Sequence, residues 1–244
     1  MIDFSHKSYL DLLHNIKDSG RRIMGFEDAA GYEGPHVILR HDVDFSLNKA
    51  LEMAQLDHEA GATSTFFILL TAPYYNPLTE DGIRVLREIA GLGHECGLHY
   101  DCTGFEELTE EQRQKRILLF ASSLEDATGL PIRTIAQHKP AKSPVRQQFP
   151  LFRDAYDDQF FKNIPYISDS RKTFFYHADV LGFIKQHKKC QLLTHPIWWN
   201  KEPMEIQEIF GRLQAGINED INGNLVMEEK SILSFFQLHN KQIG

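Results

Sequence analysis

Strand-like and helix-like segments alternate along the first half of the chain, and this order restricts the fold more than any other feature of the sequence. Apolar runs rich in β-branched and aromatic residues are separated by stretches in which apolar residues recur at helical spacing. The runs predict strands at residues 36–44, 63–70, 94–100 and 132–137. Strands that alternate with helices are typical of a parallel sheet wound with right-handed crossovers. The sequence therefore predicts an α/β fold.

Capping residues and glycines delimit the helices between these strands. Ser46 can cap a helix that ends at Gly61, because its hydroxyl can accept a hydrogen bond from a free backbone N–H of the first turn. Thr109 and Gln112 form a capping box for a helix that ends at Gly129. These signals predict that each strand is followed by a helix.

The remaining elements are predicted from shorter patterns. Helices are expected at residues 8–18, about 79–91, 205–217 and 228–242, and strands at 166–170 and 190–195. No internal repeat, linker or low-complexity segment separates them. We therefore predict one domain over residues 1–244.

The composition excludes several classes of partner and location. The net charge of −8 argues against nucleic-acid binding, which needs a basic surface to displace counterions from phosphates. The amino terminus lacks the pattern of a signal peptide, and no stretch approaches the roughly 18 consecutive apolar residues of a membrane span. We expect a cytoplasmic protein without a membrane span. The sequence makes no prediction of oligomeric state.

Four of the predicted strands end in residues that can carry chemistry. In parallel α/β folds the functional groups gather at the carboxyl ends of the strands. The candidates at these ends are His41, Asp42 and Asp44, His99 and Asp101, His138, and His195. Taken singly, each could be a helix cap or a hydrogen-bonded core residue, but their coincidence predicts a shared site. Imidazole and carboxylate ligands without a cysteine pair suit a divalent metal, with zinc favoured over cobalt, manganese or nickel.

Several of these motifs resemble those of a known family. Asp42-Val-Asp44 after an apolar strand, Thr65-Phe-Phe67 in the second strand and the run from Gly93 to His99 resemble the polysaccharide deacetylase pattern (NodB homology, carbohydrate esterase family 4). Leu193-Thr-His195-Pro resembles the closing histidine motif of that family. The resemblance implies a distorted (β/α)7 barrel and metal-dependent hydrolysis of an N-acetyl or O-acetyl group of a sugar.

The resemblance also implies roles for single residues. Asp42 matches the catalytic base, Asp44 and His99 match metal ligands, and His195 matches the general acid. The second metal histidine of the family would fall at Thr103, so one ligand of the pattern is missing.

A replacement for that ligand is available at another strand end. His138 lies where the family usually has an arginine-proline motif, and it ends a strand on the same rim. We therefore predict that His138 completes the metal site in place of Thr103.

A further likeness concerns the type of carbohydrate and the residues around it. The segments 41–44, 166–170 and 195–199 resemble a divergent branch associated with O-antigen and other surface-polysaccharide clusters. There Asp169 is predicted to line the pocket and orient a catalytic group. Trp198 or Trp199 could offer a flat face to a sugar ring, although core packing explains the pair equally well.

Other functions remain open at this point. Asp42 and Asp44 also fit the nucleophile loop of a haloacid-dehalogenase-like phosphatase. That fold requires a later lysine and an acidic pair at further strand ends, and this chain has histidines there. A glycosyltransferase that uses Asp-x-Asp would need a nucleotide-binding unit before the motif. A degenerate deacetylase that binds a glycan without turnover is the third alternative, because of Thr103.

Overall fold

A computed structural model describes residues 2–142, 148–174 and 179–240, with the backbone alone at 235–240. The chain comprises two compact units, residues 1–203 and 204–244. The alternating strands and helices, together with every candidate site residue, lie in the first unit. The assignment of residues 1–244 to one domain stays a prediction.

Helices and strands alternate along most of the described chain. The helices are α1 (His6–Asp18), α2 (Phe26–Ala29), α3 (Leu47–Glu59), α4 (Glu80–Gly91), α5 (Glu110–Thr128), α6 (Val180–Gln186) and α7 (Ile206–Asn240). The strands are β1 (Arg22–Met24), β2 (His36–Val43), β3 (Thr65–Leu69), β4 (Glu95–Tyr100), β5 (Thr134–Gln137), β6 (Arg153–Asp154), β7 (Tyr166–Ser168) and β8 (Lys189–Thr194). They form one sheet in the order β6-β5-β4-β3-β2-β8-β7, with β1 paired to β2.

The prediction of alternating strands and helices is confirmed. The predicted strands correspond to β2, β3, β4, β5, β7 and β8, with small shifts at their ends. The Ser46 hydroxyl accepts a hydrogen bond from the Lys49 N–H, and Thr109 and Gln112 form the expected capping box. Gly129 ends α5 in the left-handed conformation, with φ of 71°, which glycine adopts without steric cost.

The sheet curls into an open barrel. Four steps separate β2 from β6 in the strand order, which is about 19 Å in a flat sheet. The Arg40 guanidinium on β2 nevertheless lies 3.3 Å from the hydroxyl of Tyr156, two residues after β6. Among the described strands no ladder joins β6 to β7, so the barrel is open there. The predicted distorted (β/α)7 barrel is confirmed, with seven strands along the curled path.

The inner face of the curled sheet has an apolar floor. Its buried cluster includes Met24, Ile38, Phe67 and Ala136, which come from four different strands. A Cβ at Gly97 on β4 would lie 2.8 Å from the Phe67 ring, so glycine is needed for these strands to pack. The polar residues of β2 that follow Ile38 on the same face therefore project over an apolar base.

A fully buried polar network braces the outer face of β2. The Asp57 carboxylate on α3 accepts hydrogen bonds from the Tyr9 hydroxyl at 2.6 Å and the Ser64 hydroxyl at 2.7 Å. It also lies 2.8 Å from Nε2 of His41, whose Nδ1 is 2.7 Å from the Thr194 hydroxyl. His41 therefore lies on the face of β2 opposite Asp42, as strand alternation predicts. The network connects β2 and β8 to α1 and α3.

The second unit is dominated by one long helix. The predicted helices at 205–217 and 228–242 are a single helix, α7, over its described length, and residues 241–242 lie outside the described part of the chain. Several of its apolar side chains are exposed, among them Ile221, Leu225 and Met227. None of the helices in the described part combines the length and apolar character needed to cross a bilayer.

Candidate active site

Asp42 lies at the carboxyl end of β2, held by an arginine from the same strand. Residues 40 and 42 share one face of a strand, and here that face is the interior of the barrel. Nε of Arg40 donates to one carboxylate oxygen of Asp42 at 3.0 Å, and a terminal nitrogen donates to the other at 2.8 Å. Burial raises the pKa of Asp42, but Arg40, with His99 and His195, outweighs burial and lowers it. Asp42 is therefore ionised at neutral pH.

The Arg40 side chain is fully buried among aromatic and polar partners. Its guanidinium lies 5.0 Å from the ring centroids of both Phe67 and Tyr156, and it donates to Oε1 of Gln191 at 3.2 Å. Removing one partner of a buried ion pair costs about 3–5 kcal/mol, because the other charge is left without compensation. Arg40 was not among the predicted site residues. The signal available in the sequence was a charged residue directly after the apolar run Val37-Ile-Leu39 and two positions before Asp42.

Three predicted metal ligands converge just above this ion pair. Nε2 of His99 lies 3.4 Å from Oδ1 of Asp44, and Nε2 of His138 lies 3.6 Å from the same oxygen. All three atoms lie within 4.8 Å of one another. They are buried, and within the described residues none has a hydrogen-bond partner. Buried polar atoms in proteins are nearly always paired, so three unpaired atoms facing one point fit a metal cation.

Both imidazoles are fixed in the orientation that ligation requires. Nδ1 of His99 donates to the backbone carbonyl of Ala136 at 2.9 Å, and Nδ1 of His138 lies 3.1 Å from a carboxylate oxygen of Asp101. With the proton on Nδ1, each Nε2 has a free lone pair. Such outer contacts are typical of metal-binding histidines. The two nitrogens and one carboxylate oxygen suit a divalent ion such as zinc and leave coordination positions for water and substrate.

The remaining contacts around Asp44 hold it in place and charged. Burial raises the pKa of Asp44, but interactions with His138 and His99 outweigh burial and hold it below the usual range. The Tyr75 hydroxyl donates to the Val43 carbonyl at 2.5 Å and accepts from the Leu69 N–H at 3.0 Å. This hydroxyl therefore links the end of β2, next to Asp44, to the end of β3 by hydrogen bonds.

Thr103, at the position where the family pattern has a metal histidine, binds Asp101 instead. Its hydroxyl lies 2.5 Å from Oδ1 of Asp101, and its backbone N–H donates to the same oxygen at 2.7 Å. The other oxygen of Asp101 contacts His138. Thr103 therefore supports the residue that orients His138.

His195 is paired with a fully buried carboxylate. Nδ1 of His195 lies 2.6 Å from Oδ1 of Asp169, and the other oxygen of Asp169 accepts the indole N–H of Trp199 at 2.9 Å. Burial lowers the pKa of His195, but Asp169, with Asp42 and Asp44, outweighs burial and raises it to about 9. The imidazole is therefore a cation at neutral pH, with Nδ1 bound to Asp169 and Nε2 available to another group.

Replacing Asp169 with asparagine is expected to move the basic limb of the pH profile of kcat to lower pH. The protonated form of His195, predicted to act as the general acid, is lost as pH rises through its pKa, which Asp169 raises to about 9. Without that negative charge, burial lowers the pKa, and the limb moves down by about one unit or more. The pH dependence of kcat measures this, with thermal unfolding to verify the fold. An unmoved basic limb in a folded variant would contradict the pairing.

A short 3-10 turn, Pro196–Trp198, follows His195. Trp198 is its last residue, and Trp199 comes directly after it. Trp199 has no exposed surface, and its ring packs against Phe4 and Tyr9 at centroid distances of 4.9 and 4.8 Å. This burial disfavours the predicted contact of Trp199 with a sugar and favours an orienting role through Asp169. Trp198 is 8% exposed and lies 6.3 Å from the ring of Phe45. Its predicted contact with substrate stays a prediction.

Comparisons with known proteins find similarity at the level of structure. A scan of protein-family models and a search of curated proteins each matched nothing. A CE4 family pseudoenzyme from Bacillus anthracis is 15% identical, with a TM-score of 0.44 over 77% of this chain and 62% of that one. The chain therefore spans less than two thirds of that structure.

Two further structures are similar to a comparable degree. The Xyl-CE4 domain of a multidomain xylanase from the hindgut metagenome of Trinervitermes trinervoides is 13% identical, with a TM-score of 0.40 over 77% and 83% of the two chains. IcaB from Ammonifex degensii is 15% identical, with a TM-score of 0.43 over 57% and 68%. The chain is thus similar to these three proteins at 13–15% sequence identity.

Proposed function

We propose that the protein is a metal-dependent deacetylase that hydrolyses an acetyl group of an N-acetylated or O-acetylated sugar. The observation that carries this proposal is the set of three buried ligand atoms on Asp44, His99 and His138, which have no hydrogen-bond partner among the described residues. An ionised carboxylate and a cationic imidazole, on Asp42 and His195, stand beside them. Metal-dependent acyl hydrolysis needs these three components together.

Each residue then has a distinct task in the reaction. Asp44, His99 and His138 would hold a divalent cation, which would supply Lewis acidity to an acyl carbonyl and to the attacking water. Asp42 accepts the proton of the attacking water, and Arg40 keeps that carboxylate ionised and oriented. His195 donates its Nε2 proton to the departing nitrogen or oxygen of the sugar, while Asp169 holds its Nδ1. The products are acetate and the deacetylated sugar.

The finer parts of the proposal concern the metal and the biological setting. Two imidazole nitrogens and one carboxylate oxygen favour zinc among the common divalent ions. The likeness of segments 41–44, 166–170 and 195–199 to surface-polysaccharide proteins supports a role in the synthesis of such a polysaccharide. The carbohydrate is the proposed partner.

The phosphatase alternative is less well supported by the geometry. Histidines rather than further carboxylates and a lysine hold the centre of the site. The non-enzymatic glycan-binding alternative rests on the missing ligand at Thr103, and the position of His138 beside Asp44 and His99 counts against it.

Release of acetate tests the proposal directly. Protein purified without chelators is assayed on N-acetylglucosamine oligomers, acetylated xylan and 4-nitrophenyl acetate, before and after treatment with dipicolinate and after return of zinc. We expect acetate release that is lost on chelation and restored by the metal. Metal-loaded protein that releases no more acetate than metal-free protein from any of the three would contradict the proposal. Magnesium-dependent release of phosphate from 4-nitrophenyl phosphate would support the phosphatase instead.

A further inference from the structure

A cavity of about 490 Å³ opens beside the three predicted metal ligands. Asp44 and His138 form part of its wall, so a ligand in the cavity would reach the proposed reaction centre. Two cationic side chains, Arg116 from α5 and Lys139 from the residue after His138, line it as well. Neither cation takes part in the proposed metal site or in the proposed proton transfers by Asp42 and His195.

The acidic groups of the cavity are already engaged by other residues. Asp44 faces the imidazoles of His99 and His138. Asp101 contacts His138 through one oxygen and the hydroxyl and backbone N–H of Thr103 through the other. Neither carboxylate makes a salt bridge with Arg116 or Lys139 within the described ranges.

The two cations have no carboxylate partner within the described ranges. The guanidinium of Arg116 lies 5.5 Å from the ring centroid of Phe105, and neither it nor Lys139 makes a salt bridge with a described residue. One position earlier on α5, Lys115 is paired with Glu111 at 2.8 Å. Within the described ranges the two cations are thus free of salt bridges, and a divalent ion on Asp44 would make the cavity more positive.

The other walls of the cavity suit a sugar ring. The rings of Phe45 and Tyr74 stack with centroids 5.2 Å apart and an interplanar angle of 27°, and both line the cavity. Tyr74 is 44% exposed, so its ring is open to a ligand. An aromatic face combined with an arginine fork matches a ring that has an anionic substituent.

We infer that this cavity is a subsite for an acidic substituent, a carboxylate or a phosphate, on the acetylated sugar, held by Arg116 and Lys139. The inference rests on the proposed deacetylase function for the identity of the sugar as a substrate. It adds to that function a preference of the cavity for acidic over neutral glycans. Charge-assisted hydrogen bonds from arginine to such groups are among the strongest that side chains form.

The first test measures anion binding without turnover. Inorganic phosphate is titrated into metal-free protein by calorimetry, so that binding to the metal is excluded. We expect Arg116→Gln and Lys139→Gln each to weaken phosphate binding by about tenfold or more, and Lys115→Gln, which removes one charge from the same helix, to bind as the unmodified protein does. Absence of phosphate binding to the unmodified protein, or equal binding by all variants, would overturn the inference.

The second test uses matched substrates and separates the inference from the proposed function. N-acetylglucosamine is compared with its 6-phosphate and with N-acetylgalactosaminuronic acid, which distinguish phosphate from carboxylate. We expect kcat/KM to be about tenfold higher or more for at least one acidic sugar and Arg116→Gln to remove that preference. Turnover of the neutral sugar with no preference for either acidic one would overturn the inference alone. No acetate release from any sugar would instead count against the proposed function, while phosphate binding would still decide the inference.

Discussion

Replacing Asp42 with asparagine is expected to lower kcat for acetyl hydrolysis by about 10²–10⁴-fold, the usual contribution of a general base. Asparagine has nearly the same shape and keeps one oxygen for Arg40, but it cannot accept a proton from water. The three ligand atoms on Asp44, His99 and His138 are unchanged, so the bound metal should remain. Acetate release and metal content of the same preparation measure both effects.

The control for this variant must account for lost stability. Asparagine leaves the buried Arg40 guanidinium without its counter-charge, which costs several kcal/mol in such pairs. Asp57→Asn is a matched change, because Asp57 is equally buried and pairs with His41 on the other face of β2. We expect Asp57→Asn to lower the unfolding temperature and to leave kcat within the same order of magnitude. Equal losses of kcat in the two variants would contradict the base role of Asp42.

Replacing His195 with alanine is expected to lower kcat for an N-acetyl sugar by about 10²–10⁴-fold, since a departing amine must be protonated. The loss should be much smaller with 4-nitrophenyl acetate, because nitrophenolate departs without a proton. Parallel assays of the two substrates measure this difference. The dependence on the leaving group distinguishes a proton donor from a residue that only shapes the site.

His14→Ala serves as the control for that experiment. His14 is an exposed residue of α1, so its replacement should leave both activities unchanged. A His195→Ala variant that loses both activities to the same extent would count against proton donation by His195.

The fold was largely predictable because its main strands are long and apolar. The apolar runs at 36–44, 63–70 and 94–100 indicate buried strands from the sequence alone, and each strand is followed by a capped helix. The short strand β7 was predicted from Tyr166 and Ile167, whereas the equally short β1 has one β-branched residue and the two-residue β6 has no apolar residue to indicate a strand. They join the sheet through pairing with neighbours that only the folded chain provides.

The site was predictable to the extent that it lies at strand ends. Asp44, His99 and His138 come from three strands, and the parallel order alone implies that they meet. The contacts of Tyr75 with β2 and of Asp101 with His138 depend on loop conformation, which has no sequence pattern here. Trp199 shows the same limit, since the sequence did not distinguish a ring open to a sugar from one buried behind His195.

Metal content is the measurement that bears most directly on the central claim, which is that Asp44, His99 and His138 form one cation site. Elemental analysis of the full chain, purified without chelators, is expected to find about one divalent ion per chain. His138→Ala should lose the ion, while Thr103→Ala, at the position where the family pattern has a ligand, should keep it, because the backbone N–H of residue 103 still holds Asp101. A full equivalent of tightly bound metal in His138→Ala, or metal-free protein with an intact fold, would contradict the account.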